Sequence, residues 1–211
     1  NSLNPGQYID VVFDYDVNTS FISGQTFSLP LKITSSSGYN KTEFINVSIG
    51  QVSTSDPLGP DSYGYLIYDS GDSSYNLAPN YEWIEIAEGL GSSLNLDDDG
   101  DGNGSNRTAL VSLPFDFKFY GQTYTEITVS ADGWISFGRN DIPSFRNHPL
   151  PGPGGPSPMV AAFWDDLRTG SGGNVYTYTA NEYLVIQWDN MRTHFSAVFG
   201  NNDRQTFQMI L

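Results

Sequence analysis

Apolar residues in this chain recur at every second position, and no segment carries them at a sustained helical spacing. Ile9, Val11, Phe13 and Tyr15 alternate with Asp10, Val12 and Asp14. Phe27, Leu29, Leu31 and Ile33 alternate with Ser28, Pro30 and Lys32, and Ile45, Val47 and Ile49 form a third set. Further on, Leu113, Phe115, Phe117 and Phe119 stand opposite Asp116 and Lys118. A period of two puts each apolar set on one face of an extended strand, and that face must be covered by a second sheet. Two hairpins are legible: Thr128 to Phe137 around Ala131-Asp132-Gly133, and Val175 to Trp188 around Ala180-Asn181. The expected fold is all-β, an antiparallel β-sandwich or jelly-roll-like architecture with long loops and almost no helix.

Hydrophobic residues make up 38% of the 211 residues and charged ones only 16%, enough apolar surface for a core. Nine Lys and Arg against 24 Asp and Glu give a net charge of −15. Such a surface repels phosphate backbones and anionic lipid, so nucleic acid and membrane insertion are not expected, whereas cations are. Cysteine is absent, which excludes disulfides, thiolate metal sites and cysteine nucleophiles. The longest uncharged apolar run, Met159 to Trp164, is far too short to span a bilayer. The chain opens at Asn1 without methionine, pointing to a processed or excised mature segment, and sequons at Asn18, Asn40, Asn46, Asn103 and Asn106 lean toward export.

Strand-like sequence is interrupted at Ser53 to Ser62, at the acidic stretch Gly91 to Asn106, and at the proline-rich Asn140 to Pro158, a long structured loop. Residues 1–55 supply about three strands, too few for an independent domain, so they are expected to pair with residues 56–211 or with another copy. Residues 56–211 are expected to form the sandwich, carrying the acidic stretch as an insert.

The sharpest chemical signal is Asp97-x-Asp99-x-Asp101-Gly102-Asn103. A hard cation takes six to eight oxygens, and alternate residues of a tight loop can supply them, which makes Asp97, Asp99, Asp101 and Asn103 the candidate calcium ligands. Thr108 stands where an EF-hand has its bidentate Glu, and no helix flanks the loop. Ligation must then be completed by Asp98, by water, or by a carboxylate from elsewhere. The bland alternative is a solvated acidic turn, against which stands the mutual repulsion of four carboxylates in five residues. Asp61, Asp69, Asp72 and the pair Asp165-Asp166 fit ordinary turn or strand-end chemistry better than a metal.

No nucleophile or phosphate-loop motif is present, and histidine occurs only at His148 and His194. Glu82, Glu85 and Glu88 are the available carboxylates for glycoside chemistry, yet Trp83, Ile84 and Ile86 between them read as a plain strand. A non-enzyme is therefore expected. Trp134, Trp164 and Trp188, with Tyr176 and Tyr178, suit sugar stacking, but alternating aromatics in a sandwich are mostly core. Phe145 and Arg146 in the long loop are the better ligand-binding candidates.

Thr128-Val129-Ser130-Ala131-Asp132-Gly133-Trp134-Ile135-Ser136-Phe137-Gly138, then Ala161-Ala162-Phe163-Trp164-Asp165-Asp166-Leu167, Gly173-Asn174-Val175-Tyr176 and Thr206-Phe207-Gln208, resembles the nidogen-like extracellular β domain. Asp56 to Tyr65, Tyr81 to Ile86 and Phe145 to Pro151 are similar to non-catalytic modules appended to secreted microbial peptidases. The resemblance covers most of residues 56–211 and implies an extracellular β module with an adhesive or targeting role and no catalytic residues. The acidic insert and the lack of cysteine depart from the nidogen-like pattern.

The first expectation is an extracellular or cell-surface calcium-binding module for adhesion or targeting, whose partners are other extracellular proteins, glycans or copies of itself. The second is a subunit of a surface filament, motivated by strand-like sequence at both ends, Tyr8 to Tyr15 and Thr206 to Leu211. The third is a carbohydrate-binding module.

Overall fold

The computed structural model describes residues 3–4, 6–17, 22–54, 56–170 and 172–211. The chain forms two compact units, Asn1–Tyr81 and Glu82–Leu211. The division falls after Tyr81, beyond the joint at Ser53 to Ser62 marked by turn residues.

In the first unit, β1 (Thr26–Thr34) and β2 (Asn40–Ser48) form an antiparallel hairpin in register from Thr26↔Ser48 to Thr34↔Asn40. Phe27 and Leu31 are its half-covered residues on β1, matching the alternation, and Pro30 lies on a strand with one neighbour among the described residues. The strand expected over Tyr8 to Tyr15 is not formed. No backbone ladder engages it among the described residues, and Tyr8 and Val12 stay 86% and 84% exposed. Alternation only qualifies a segment for a sheet; a hydrogen-bonding neighbour makes it a strand. The carboxylate of Asp61 accepts the N–H groups of Tyr63, Gly64 and Tyr65, and Asp69 and Asp72 brace their own turn, so these acids do turn chemistry.

The second unit is a sandwich of two antiparallel sheets. Its strands are β3 (Ser92–Ser93), β4 (Thr108–Phe119), β5 (Gln122–Ser130), β6 (Trp134–Phe137), β7 (Met159–Ala161), β8 (Leu167–Arg168), β9 (Asn174–Thr179), β10 (Leu184–Thr193) and β11 (Gln205–Ile210). One sheet runs β4-β5-β6-β7; the other runs β11-β10-β9-β3, with β8 beside β10. Both expected hairpins are present, with Val129 opposite Ile135 and Leu184 opposite Thr179. The one helix among the described residues, α1 (His194–Val198), has five residues and is capped by Thr193.

The core lies between these sheets. Leu113, Ile127, Val129, Ile135 and Phe137 meet Val175, Leu184, Ile186, Trp188, Met191 and Met209. Burying each such side chain contributes about 1.5–3 kcal/mol. Trp188 stacks on Phe207 at 5.0 Å and sends its indole N–H to the Ser130 carbonyl at 2.8 Å, so the second sheet is tied to the end of β5. The segment around Trp83 to Ile86 is not the plain strand expected of it. Its backbone bonds to side chains instead, Ile84 to Gln208 and Ile86 to Gln187, because two glutamines take the place of a neighbouring ladder.

Candidate metal centre

The acidic loop follows β3 and runs to β4, and residues 96 to 101 alternate strictly in burial. Leu96, Asp98 and Gly100 face inward, whereas Asp97, Asp99 and Asp101 face solvent. The loop thus has the period of a strand, and its inward phase is the even-numbered one.

Each outward residue has a local task. Asp97 accepts the Ser105 N–H and hydroxyl at 3.1 and 2.6 Å, bonds that hold its carboxyl below the usual carboxylate range. Asp99 pairs with Arg168 at 3.5 Å. Asp101, at a positive φ of 50°, gives its N–H to both oxygens of Asp166 at 2.8 and 2.9 Å. Asn103 sends its amide to the Gly100 carbonyl at 3.1 Å.

The inward residue Asp98 meets acids from two other segments. Asp132 sits in the β5–β6 turn, and Asp166 immediately precedes β8. One carboxylate oxygen from each of Asp98, Asp132 and Asp166 lies within 4.8 Å of the others. The β5–β6 turn can hold Asp132 there because Gly133 takes a φ of 78° and a β-carbon on it would overlap the Phe163 carbonyl. The Phe163–Leu167 segment wraps this turn: Phe163 N–H bonds Gly133 O at 3.3 Å, and Leu167 N–H bonds Asp132 Oδ1 at 3.0 Å. Asp98 is held by Thr169, whose hydroxyl accepts its N–H at 2.9 Å, and its Oδ1 accepts the Gly100 N–H at 2.7 Å.

These bonds use one oxygen of each buried acid. Asp98 and Asp132 are 1% and 0% exposed, yet Oδ2 of each has no partner. Loss of hydration pushes the Asp98 carboxyl up to about 6 and that of Asp132 up to about 8, and raises that of Asp166 as well. Asp98 and Asp166 raise Asp132 further, and Asp166 and Asp99 raise Asp98, against the lowering field of Arg107 at Asp98 and Asp132. The imidazole of His194 packs on Gly100, and its Nδ1 is likewise buried without a partner. An oxygen-only set of this kind suits a hard cation such as calcium.

The sequence pattern singles out the loop but favours its outward phase, with Asp98 only completing the ligation. It gives Asp166 to strand-end chemistry and Asp132 to a hairpin turn. A signal for both existed in the Asp-Gly turn and the Asp-Asp pair, but nothing in the sequence says that two turns more than thirty residues apart meet.

Beside this loop stands the proline-rich segment. The indoles of Trp134 and Trp164 both donate to the Ser144 carbonyl, at 2.7 and 3.1 Å, and Ser144 Oγ bonds the Gly154 carbonyl at 2.7 Å. The pinned segment lays Phe145 against Gly102 of the acidic loop, where a β-carbon would stand 3.0 Å from the ring. The Arg146 guanidinium lies 5.0 Å from the Phe145 ring centre. Ile142, Pro143, Ser144, Phe145, Arg146 and His148 line a hollow of about 410 Å³.

A family model described as NIDO related, for nidogen-related domains, matches residues 78–211. The chain belongs to the nidogen-related family. The match covers the whole sandwich unit and contains both the aspartate cluster and the Phe145–Arg146 segment. No curated protein and no solved structure matches the chain. A nidogen-related domain is an extracellular β module, and among the described residues no helix is long and apolar enough to cross a membrane.

Proposed function

We propose that this nidogen-related chain is a non-catalytic extracellular binding module for adhesion or targeting, and that calcium in its acidic loop keeps the recognition surface in order. The observation that carries this reading is the seat of Phe145 on Gly102. Whatever fixes the acidic loop also fixes the aromatic and the guanidinium above it. Binding residues on loops held by a rigid sandwich are the common arrangement for recognition. Arg146 and Phe145 together offer charge, planar hydrogen bonding and apolar area, which suits a protein or glycan partner.

Supporting the non-catalytic part, Glu85 is bonded by the Gln187 amide, the Trp83 indole and the Ala87 N–H, which keep its carboxyl low. A general acid for glycoside chemistry needs the opposite shift. The tryptophans considered for sugar stacking lie in the core, Trp134 and Trp188 fully and Trp164 nearly so.

A second reading, strand exchange between copies, is favoured by Tyr8 to Tyr15. This alternating segment is exposed and has no strand pairing among the described residues.

The test is adhesion of beads coated with the full chain to immobilised glycans, to matrix proteins and to one another, in calcium and in EDTA. Calcium-dependent adhesion that Phe145→Ala and Arg146→Ala abolish is the expected result. Adhesion indifferent to calcium and to both substitutions overturns the reading. Bead-to-bead adhesion lost on deleting residues 7–17 favours strand exchange.

A further inference from the structure

We propose that the calcium ion is held by Asp98, Asp132 and Asp166, carboxylates from three separate segments, with the outward Asp97, Asp99 and Asp101 left outside its coordination sphere. The inference rests on the reading of a calcium-dependent module and assigns its site.

Four observations lead to it. The three carboxylate oxygens lie within 4.8 Å of one another. With calcium–oxygen distances of about 2.4 Å, oxygens on one ion stand up to about 4.8 Å apart, so the cluster is of calcium size. Second, Asp98 Oδ2 and Asp132 Oδ2 are sealed from water and have no hydrogen-bond partner. Buried carboxylate oxygens in that condition are costly unless a cation or donor meets them.

Third, the other oxygen of each buried acid is bonded to a backbone N–H, Gly100 for Asp98 and Leu167 for Asp132. That is how ligating carboxylates are aimed by their outer partners. Fourth, the outward aspartates are already engaged with Ser105 and Arg168, or, at Asp101, contribute a backbone N–H to Asp166. They brace and orient the loop around the ion.

An ion here ties the acidic loop, the β5–β6 turn and the segment entering β8 at one point. Asp98 brings with it Thr169 and Gly170, whose N–H groups bond its carbonyl at 3.0 and 3.4 Å. Calcium at this point therefore sets the position of Gly102, and with it the seat of Phe145.

Calcium chloride titrated calorimetrically into the calcium-stripped full chain decides the matter. The wild type is expected to bind one equivalent. Asp98→Asn and Asp132→Asn are expected to weaken binding by more than the roughly 10–100-fold that loss of an outer partner costs, whereas Asp97→Asn and Asp99→Asn stay within about tenfold of wild type. Without calcium, Asp132→Asn should melt no lower than wild type, because the amide oxygen can still accept the Leu167 N–H and brings no charge into the buried cluster. Should Asp132→Asn fail to fold, Asp166→Asn carries the same expectation at a half-exposed position. Loss of binding in Asp99→Asn but not in Asp132→Asn or Asp166→Asn overturns the inner site and leaves the calcium-dependent module standing. No calcium binding by the wild type overturns both.

Discussion

Asp132 Oδ1 accepts the Leu167 N–H at 3.0 Å across 35 residues of sequence, and the other oxygen of the same carboxylate meets no donor at all. One half of the side chain thus closes the turn against the strand that follows Asp166. The same carboxylate brings an oxygen within 4.8 Å of oxygens of Asp98 and Asp166. A turn residue in sequence is a buried junction in the fold.

Calcium should raise the melting temperature of the chain. A ligand bound only by the folded state adds about 2.7 kcal/mol at a hundred times its dissociation constant, a shift on the order of 10 °C for a unit of this size. Differential scanning calorimetry in calcium and after chelation measures it. Identical curves would show that the cluster is neutralised by other means, such as bound protons or Arg107.

Calcium-stripped protein should lose stability as pH rises. Asp98 and Asp132, raised by burial to about 6 and about 8 from 3.8, bind protons more tightly folded than unfolded. Their contribution is fully present below the unfolded value and is lost as pH climbs through the folded values. Melting of the stripped protein is expected to be higher at pH 5 than at pH 8, and saturating calcium to flatten or reverse that slope. A stripped protein that melts higher at pH 8 counts against the burial of these acids.

Gly133→Ala should destabilise by more than about 2 kcal/mol, since an alanine there meets both an unfavourable φ and the Phe163 carbonyl. Urea unfolding reads the cost. Calcium affinity should fall with it, because the same turn carries Asp132. A neutral result would mean that the turn re-forms in another shape.

Trp188→Phe keeps the stack on Phe207 and deletes the indole N–H that meets the Ser130 carbonyl. Leaving that buried carbonyl unpaired is expected to cost about 1–3 kcal/mol. The denaturation midpoint should fall with an unchanged slope.

Residues 82–211 expressed alone should fold cooperatively, since both sheets and the core between them lie within that span. Residues 1–55 alone should not fold as a monomer, because two paired strands leave Leu29, Ile33 and Ile45 without a covering sheet. Circular dichroism and thermal melting of the two fragments check this. A cooperative melt from the shorter one would contradict it.

Much of the architecture follows from the sequence because alternation is a local property. The apolar series of β4, from Leu113 to Phe119, keeps one face whatever covers it, and the Asp132-Gly133 turn lets β5 and β6 fold back in register. Tyr8 to Tyr15 carries the same kind of pattern and forms no strand, because strand formation needs a partner that alternation does not supply. The density of acids between residues 97 and 101 likewise singles out that loop from sequence alone. Which phase of that loop turns inward is another matter. Asp97, Asp99 and Asp101 differ from Asp98 by one residue, and a shift of one exchanges the faces of an extended chain. Packing chose Asp98, since Thr169 and Gly170 grip its backbone while Asp132 and Asp166 arrive from remote turns. Charge spacing belongs to the sequence; the convergence of three carboxylates on one buried point is made only by the closing of the sandwich.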